Sequence, residues 1–405
     1  MEITFSSEIK GNDFIRTAHF ADENYYFKIP AKYKDDITEL ADPFVILLIF
    51  RMMRYGGDFH LKGTVSKSLL DNLELFSSYW HAMLPEYYKK ITITADEEFN
   101  DIPVALSDKA VAAFSGGLDA SAMLYRHNKN LAGRNSRNIE RCILIKGVDI
   151  PLSADEKFRK TFFDCEKMCN DLNADLVEVE INYRSYPHYW NMEHMACIAA
   201  VLRLWKEYPY QMIASTYPVN GFKLPFGTNP VTDHLFSSNR YLLIEGDVDL
   251  SRTEKAALIK NWKTGLENLR VCWQGPMELS NCGVCEKCTH TYLNFRASGI
   301  KELSCMTEKF NFKNLLQMDD EQFEIKEKYM TEILGYVIKH GVKDNIFEKL
   351  ETEIQKRRKK RKWKKLTYYR SMLLSKITFG ERKRHYAKKC AKLSGAADKM
   401  EFVTF

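Results

Sequence analysis

The stretch Ala112-Ala113-Phe114-Ser115-Gly116-Gly117-Leu118-Asp119-Ala120-Ser121 lies between a short apolar run, residues 110–114, and a helical pattern that follows the glycines. An apolar run of this length predicts a buried strand, and the two glycines predict a tight turn after it. Glycine lets the backbone turn sharply and present consecutive N–H groups, and the start of a helix carries a partial positive charge. The stretch therefore predicts an anion-binding loop, with an ordinary strand–turn–helix connection as the alternative.

The side chains of this loop suit a polyphosphate ligand. The hydroxyl groups of Ser115 and Ser121 can donate hydrogen bonds to phosphate oxygens. Asp119 would repel a phosphate, so we expect it to cap the helix or to hold Mg²⁺. The Gly-Lys-Ser/Thr ending of a Walker-type loop is absent here, which disfavours kinase or GTPase chemistry.

Apolar runs alternate with helical patterns beyond the loop. Such alternation predicts parallel strands joined by right-handed helical crossovers, with helices on both faces of the sheet. The fold class predicted is α/β with a parallel, doubly wound sheet. Strands are predicted at 110–114, 142–145, 176–181 and 211–215, and helices at about 154–172 and 191–205.

A cluster of cysteines follows at metal-ligand spacing. Three of them form a C-x2-C-x2-C array, and a fourth lies ten residues before the array begins. Four thiolates satisfy a tetrahedral Zn²⁺ and leave no open position, which predicts a structural zinc site. An iron–sulfur cluster is the alternative metal group, and His290 or Cys305 the alternative fourth ligand. The four predicted ligands are Cys272, Cys282, Cys285 and Cys288.

The loop resembles the signature of a known superfamily. Ser115-Gly116-Gly117-Leu118-Asp119 is similar to the PP-loop, Ser-Gly-Gly-x-Asp-Ser/Thr, of the ATP pyrophosphatase superfamily. The resemblance implies an adenine-nucleotide α-hydrolase-like (HUP) fold, cleavage of ATP to AMP and pyrophosphate, Mg²⁺, and nucleotide contacts from Ser115 through Asp119. Ala120 departs from the signature, so either Ser121 supplies the missing hydroxyl or one pyrophosphate contact is lost.

The cysteine array narrows the resemblance. Within the superfamily it is similar to the ending of 7-cyano-7-deazaguanine synthases, in which an Arg-containing helix (here with Arg296) follows the last cysteine. Leu250-Ser251-Arg252-Thr253-Glu254 resembles their Leu-Thr/Ser-Lys-x-Glu segment. The resemblance covers residues 110–300 and neither flank. Residues 182–187 stand where that family has Pro-Gly-Arg-Asn, so we expect a related mechanism on a different substrate.

Further candidates for the pocket come from their place in the pattern. Gly147 ends the second predicted strand and can let adenine or ribose approach, although a plain turn fits it equally. Arg252 and Lys255, on a helix start, can bind pyrophosphate or the leaving AMP, or form a solvated face. His194 can act as an acid or base near neutral pH, or be a hydrogen-bonded core histidine. Asp119, Ser121 and Arg252 are therefore the catalytic candidates.

Composition bounds the domains and the compartment. The chain has 405 residues, of which 45% are apolar and 28% charged, as in globular proteins. Three regions are predicted: an α+β domain at 1–106, the PP-loop domain with the zinc site at 107–305, and a helical region with a basic tail at 306–405. Residues 1–5 do not resemble a signal peptide, and the longest apolar run, 43–50, is too short to span a bilayer. A cytoplasmic protein is expected, at most peripheral at the inner face of the membrane.

Charge is distributed unevenly along the chain. Residues 356–392 contain 17 Lys or Arg and one acid, Glu381, although the net charge of the whole chain is only +6. The remaining residues therefore carry a net negative charge of 10. A basic tail with interleaved aromatic residues predicts contact with an anionic membrane surface or a nucleic acid, and a solvated tail is the alternative.

These patterns predict an ATP-dependent ligase. A carboxylate or carbonyl oxygen of a small-molecule substrate would attack the α-phosphate of ATP, and ammonia or another nucleophile, supplied by a pathway partner, would then displace AMP. The alternative is a degenerate PP-loop module that senses a nucleotide or docks on nucleic acid or membrane, a hypothesis that Ala120 favours.

Overall fold

The computed structural model describes residues 1–102, 107–222, 224–272, 281–317, 320–377, 384–385 and 388–389. The chain divides into two compact units, Met1–Phe310 and Asn311–Phe405. The described part of the first unit contains a ten-stranded sheet with helices, and the described part of the second is helical.

The ten strands of the first unit form a single sheet in the order β10-β9-β6-β7-β8-β3-β2-β1-β4-β5. Six of its nine strand pairings are parallel. The strands are β1 (Glu2–Lys10), β2 (Asp13–Phe20), β3 (Glu23–Pro30), β4 (Gly57–Ser66), β5 (Ile91–Phe99), β6 (Lys109–Ala113), β7 (Asn138–Lys146), β8 (Asp175–Ile181), β9 (Tyr210–Ala214) and β10 (Leu242–Gly246).

Residues 1–106 and 107–305, which the sequence separates by pattern, share this sheet. The junction is the antiparallel pairing of β3 with β8, in which Phe27 faces Ile181 and Lys28 faces Glu180. Asn182, just after β8, accepts a hydrogen bond from the backbone N–H of Tyr26 at 2.9 Å. The N-terminal strands therefore continue the parallel sheet instead of forming a sheet of their own.

Helices cover both faces of the sheet. They are α1 (Asp42–Tyr55), α2 (Lys67–Met83), α3 (Leu118–Asn128), α4 (Asp155–Asp171), α5 (Trp190–Arg203), α6 (Arg252–Ile259), α7 (Lys263–Asn268) and α8 (Glu286–Ala297). Alternate residues of β7 face opposite sides of the sheet. Ile143 and Ile145 belong to the hydrophobic core that includes α1 and α5, whereas Cys142 and Leu144 belong to the core that includes α3 and α4. The predicted α/β class with a largely parallel, doubly wound sheet is confirmed.

Helix α1 begins at Asp42. Pro43 occupies its first turn, where a missing N–H costs nothing. The buried carboxylate of Asp42 accepts hydrogen bonds from the backbone N–H and the hydroxyl of Ser66, at 2.8 and 2.7 Å. These contacts fix the start of α1 against the end of β4.

The second unit contains α9 (Phe312–Leu316), α10 (Asp320–Lys339) and α11 (Asn345–Ile377). α10 and α11 pack against one another, and Arg358 donates to Glu327 at 2.5 Å. The last helix continues into the predicted basic tail, as far as Ile377. The rest of the predicted basic tail, apart from residues 384–385 and 388–389, lies outside the described residues. Among the described residues, no helix is long and apolar enough to cross a membrane.

We expect Gly147→Ala to destabilise the first unit by about 3 kcal/mol or more. Gly147 has a φ of +95°, and a Cβ there would overlap the backbone carbonyl oxygen of Ile181, at the end of β8. Positive φ alone costs about 1–2 kcal/mol in a residue with a Cβ, and overpacking costs about 1–3 kcal/mol more. Urea denaturation measures the difference.

Gly133→Ala is the matched control for this variant. Gly133 also has a positive φ, +58°, but a Cβ there would meet nothing within 4 Å. The control should therefore cost only about 1 kcal/mol. Equal losses in the two variants would mean that the approach of Gly147 to β8 is unimportant.

Candidate active site

A cavity of about 270 Å³ lies at the carboxyl ends of β6, β7 and β9. Strand β6 has β7 on one side and β9 on the other, and the chain leaves β6 towards β7 and returns later to β9. This reversal is the topological switch point at which doubly wound sheets bind ligands. Residues that line the cavity include Ser115, Gly117, Leu118, Asp119, Ala120, Asp149, Trp190, His194, Thr216, Arg252, Arg270, Cys272 and Lys287.

The predicted loop forms one wall of the cavity. Strand β6 ends at Ala113, and α3 begins at Leu118 with Gly117 as its N-cap. Gly116 has a φ of +71°, and a Cβ on it would lie 2.7 Å from the Sγ of Cys165. Its carbonyl oxygen accepts a hydrogen bond from the backbone N–H of Arg270 at 2.7 Å. The loop therefore needs glycine at 116, and it is held against the segment that leads to the first metal ligand.

Asp119 joins α3 to α6 through two cations. Its carboxylate lies 3.3 Å from the Nη2 of Arg252 and 3.6 Å from the Nζ of Lys255. Lys255 is fully buried and also donates to the carbonyl oxygen of Ser215, just after β9. The side chain of Ser251 caps α6 in a capping box with Glu254, which fixes the helix start that carries Arg252.

Positive charge exceeds negative charge in the cavity lining. Of the lining residues that the structure describes, Arg252, Arg270 and Lys287 are the cations, and Asp119 and Asp149 carry the carboxylates. Among the described residues, neither Arg270 nor Lys287 forms an ion pair with a carboxylate. Burial lowers the pKa of Lys287, as does repulsion from the neighbouring arginines. The lining is therefore suited to an anion.

Neither Arg270 nor Lys287 was predicted from the sequence to line a ligand pocket. The one local signal is their place in the cysteine array, since Arg270 lies two residues before Cys272 and Lys287 lies between Cys285 and Cys288. The spacing of the cysteines does not specify whether a cation next to a metal ligand points to the metal or into a pocket. Tertiary packing decides this.

The rest of the lining is largely apolar, and His194 belongs to it. Its Nδ1 lies 3.0 Å from the carbonyl oxygen of Trp190, which can only accept, so this nitrogen carries the proton. The other nitrogen, Nε2, then accepts from the hydroxyl of Thr228 at 2.7 Å. Burial lowers the pKa of His194, which keeps the ring neutral. Both ring nitrogens are satisfied, which favours the structural role over acid–base chemistry.

Three predicted site residues do not line the cavity. Ser121 is fully buried, and its hydroxyl has no hydrogen-bond partner among the described residues. Ala120, the residue before it on α3, lines the cavity instead. Gly116 lies against the Sγ of Cys165, and Gly147 packs on Ile181.

The four predicted cysteines converge on one point. Their sulfur atoms all lie within 4.8 Å of one another, and the Sγ of Cys272 is 3.5 Å from that of Cys282 and 3.6 Å from that of Cys285. A single tetrahedral ion with bonds of about 2.3 Å places its sulfur ligands about 3.8 Å apart. An iron–sulfur cluster, which binds its thiolates through separate irons, would hold them further apart. The cluster can therefore hold one metal ion, and neither His290 nor Cys305 belongs to it.

The close approach of the thiols shifts their pKa values in opposite directions. Hydrogen bonding with Cys288, and less so with Cys272 and Cys282, lowers the pKa of Cys285 to about 5. The same contact raises the pKa of Cys288. Thiolate is the form that binds metal, so an ion would replace the shared protons.

A titratable carboxyl group lies on the strand next to β9. Glu245, on β10, faces Ile213 of the cavity lining in the strand register. Burial raises the pKa of Glu245 to about 7, while the Ser215 hydroxyl and the Lys255 ammonium act in the opposite direction. Glu245 itself is not among the residues that line the cavity.

The cavity and the cysteine cluster are one continuous site, because Cys272 belongs to both. Its chemistry has to be assigned from this geometry. Comparisons of the chain with protein-family models, with curated proteins and with solved structures find no match.

Proposed function

We propose that the chain is an ATP-dependent ligase. It would activate a substrate carboxylate or carbonyl oxygen by adenylation, with release of pyrophosphate, for attack by ammonia or another nucleophile. The observation that carries the proposal is the composition of the cavity lining, which combines a glycine loop, a helix start and three cations with aliphatic side chains.

The polar residues of the cavity lining match a polyphosphate. The N-terminus of α3 and the loop at Ser115–Gly117 offer backbone N–H groups, and Arg252, Arg270 and Lys287 add three positive charges. Asp119 and Asp149 are the carboxylates able to hold the Mg²⁺ that accompanies ATP. Catalysis would then consist mainly of positioning and charge stabilisation around the α-phosphate.

The apolar residues of the cavity lining match a nucleobase. Uncharged aliphatic contacts come from four isoleucines at or next to the strand ends, namely Ile143, Ile145, Ile150 and Ile213. Ligand pockets commonly combine such walls with a few fixed polar groups. The arrangement supports the adenine-nucleotide (HUP) version of the doubly wound fold, which the loop sequence also predicts.

The zinc assignment belongs to the same proposal. A closed four-thiolate set leaves no coordination position for a substrate, so the metal would be structural. The cluster would hold Arg270 and Lys287 at the cavity, because both residues lie within two positions of a ligand.

A second candidate function is nucleotide binding without turnover. Ala120 lines the cavity where the superfamily signature has a hydroxyl, and the buried Ser121 does not line it. One phosphate contact of an active enzyme would then be missing, as in a sensor or docking module.

Two measurements on the full chain separate these functions. Equilibrium ATP binding tests the cavity, and ATP–pyrophosphate exchange, run with a panel of carboxylic acids, tests adenylation. Binding with exchange supports the ligase, and binding without exchange for any acid supports the sensor. Absence of ATP binding in metal-loaded protein would overturn both.

A further inference from the structure

The exposed side of the second half of α11 carries large apolar side chains. Trp363 is 71% exposed, Leu373 is 59% exposed and Ile377 is 62% exposed, and all three would be buried in an ordinary helix pair. We call the following set the α11 stripe: Trp363, Leu366, Tyr369, Leu373 and Ile377.

The members of the α11 stripe share one face. They recur at intervals of three or four residues, and at 100° per residue they fall within an arc of about 120°. The stripe is about 21 Å long, from a rise of 1.5 Å per residue. Residues that α11 buries, such as Leu350, Ile354 and Ser371, lie on the other side of the helix. The stripe is therefore an outward apolar face and not part of the packing against α10.

Positive charge surrounds the stripe. Residues 356–377 contain eleven Lys or Arg and no acid. Arg357 and Arg358 are used within the unit, in ion pairs with Glu353 and Glu327 at 2.7 and 2.5 Å. The basic side chains that flank the stripe on exposed positions include Lys359, Lys362, Lys365, Arg370 and Lys376.

We propose that the α11 stripe and its flanking cations bind the surface of an anionic lipid membrane. Aliphatic side chains would enter the headgroup–acyl boundary, the tryptophan and tyrosine would lie at the interface, and the lysines would reach anionic headgroups along their aliphatic stems. The negative charge of the lipids complements the eleven basic residues of this segment. A second copy of the segment would instead be repelled, because it carries the same positive charge. A nucleic acid would use the cations but would leave Leu366, Leu373 and Ile377 in water, so the aliphatic content favours lipid.

The test is flotation of the full chain with vesicles of phosphatidylcholine containing 25% phosphatidylserine, and with vesicles of phosphatidylcholine alone. We expect binding to the anionic vesicles only, and weaker binding as salt rises from low to physiological concentration, because screening shortens to about 8 Å. Leu366→Gln combined with Leu373→Gln should lower the partition coefficient at least tenfold.

Matched controls come from the same unit. Ile338→Gln removes an aliphatic side chain that is 76% exposed on α10, outside the stripe, and should bind like the unaltered chain. Lys359→Gln, Lys362→Gln and Lys365→Gln together should also weaken binding and flatten its salt dependence. This triple variant decides the question if the leucine variants fold poorly, since its residues are all exposed.

Three results would overturn the proposal. Equal binding to neutral and anionic vesicles would remove the role of charge. Tighter binding to RNA or duplex DNA at matched salt, unaffected by the leucine changes, would make the face a nucleic-acid site. A concentration-dependent dimer that the leucine changes abolish would show that a second copy covers the stripe.

Discussion

Replacing Cys285 by serine is expected to release the metal and to lower the free energy of unfolding by about 3–5 kcal/mol or more. Zinc binding contributes about 10–16 kcal/mol to the folding of isolated zinc fingers, and part of this remains in a larger domain. The purified unaltered chain should contain about one zinc per chain by elemental analysis. In the variant, only three of the four thiols that lie within 4.8 Å of one another would remain, so the tetrahedral ligand set would be incomplete.

Loss of the metal should also weaken nucleotide binding. Cys272 lines the cavity, and Arg270 donates its backbone N–H to the carbonyl oxygen of Gly116 in the loop. Freeing the cysteine segment would therefore release one side of the anion site. Titration calorimetry with ATP before and after chelation measures this coupling.

Cys305→Ser is the matched control for the metal. Cys305 is partly buried but lies outside the four-thiol cluster, so this variant should keep its zinc. A Cys285→Ser protein with a full complement of zinc would falsify the assignment of the ligand. Iron with visible absorbance in the unaltered chain would instead identify the alternative metal group.

Arg270→Gln is expected to reduce the affinity for ATP by about 10- to 150-fold. A hydrogen bond to a charged group contributes about 1.5–3 kcal/mol, and each 1.4 kcal/mol is a factor of ten. The arginine lines the cavity, and its side-chain contact with the described part of the fold is a long hydrogen bond of 3.4 Å to the carbonyl oxygen of Ser115, so most of its donors are available to a ligand. Isothermal calorimetry with Mg·ATP gives the dissociation constant.

The control is Arg134→Gln, which removes the same charge from an exposed position outside the cavity lining. Its affinity should match that of the unaltered chain, and both variants should melt within a few degrees of it. If Arg270→Gln binds ATP normally, the nucleotide does not use this cavity. Asp119→Ala and Gly117→Val, which alter the loop itself, should remove ATP binding or turnover without unfolding the chain.

Local patterns predicted the features whose signal lies within a few residues. The strand–glycine–helix stretch at 110–121 determines the loop, because glycine, which has no Cβ, readily adopts the positive φ found at Gly116. The spacing of the cysteine array determines three of the four thiols, since two intervening residues let neighbouring sulfurs reach one ion. The alternation of strands and helices beyond residue 107 determined the largely parallel α/β class, which the sheet confirms.

Other features were decided by contacts between residues far apart in the sequence. The pairing of β3 with β8 places the N-terminal strands in the same sheet, and no local pattern specifies which edge a strand will join. Arg270 and Lys287 reach the cavity only because the folded cysteine segment lies against the loop.

The burial of Ser121 on α3 and the packing of Gly147 were also decided by contacts between residues far apart in the sequence. A serine at 121 is chemically able to bind phosphate, but Ser121 is buried in the fold while Ala120 lines the cavity. Gly147 follows a strand as a ligand-binding glycine would, yet its missing side chain makes room for the carbonyl oxygen of Ile181. The sequence by itself thus determined which chemical groups are present and their local conformation. Only the tertiary structure decided which of them share a cavity, because that depends on strand order, helix phase and the packing of distant segments.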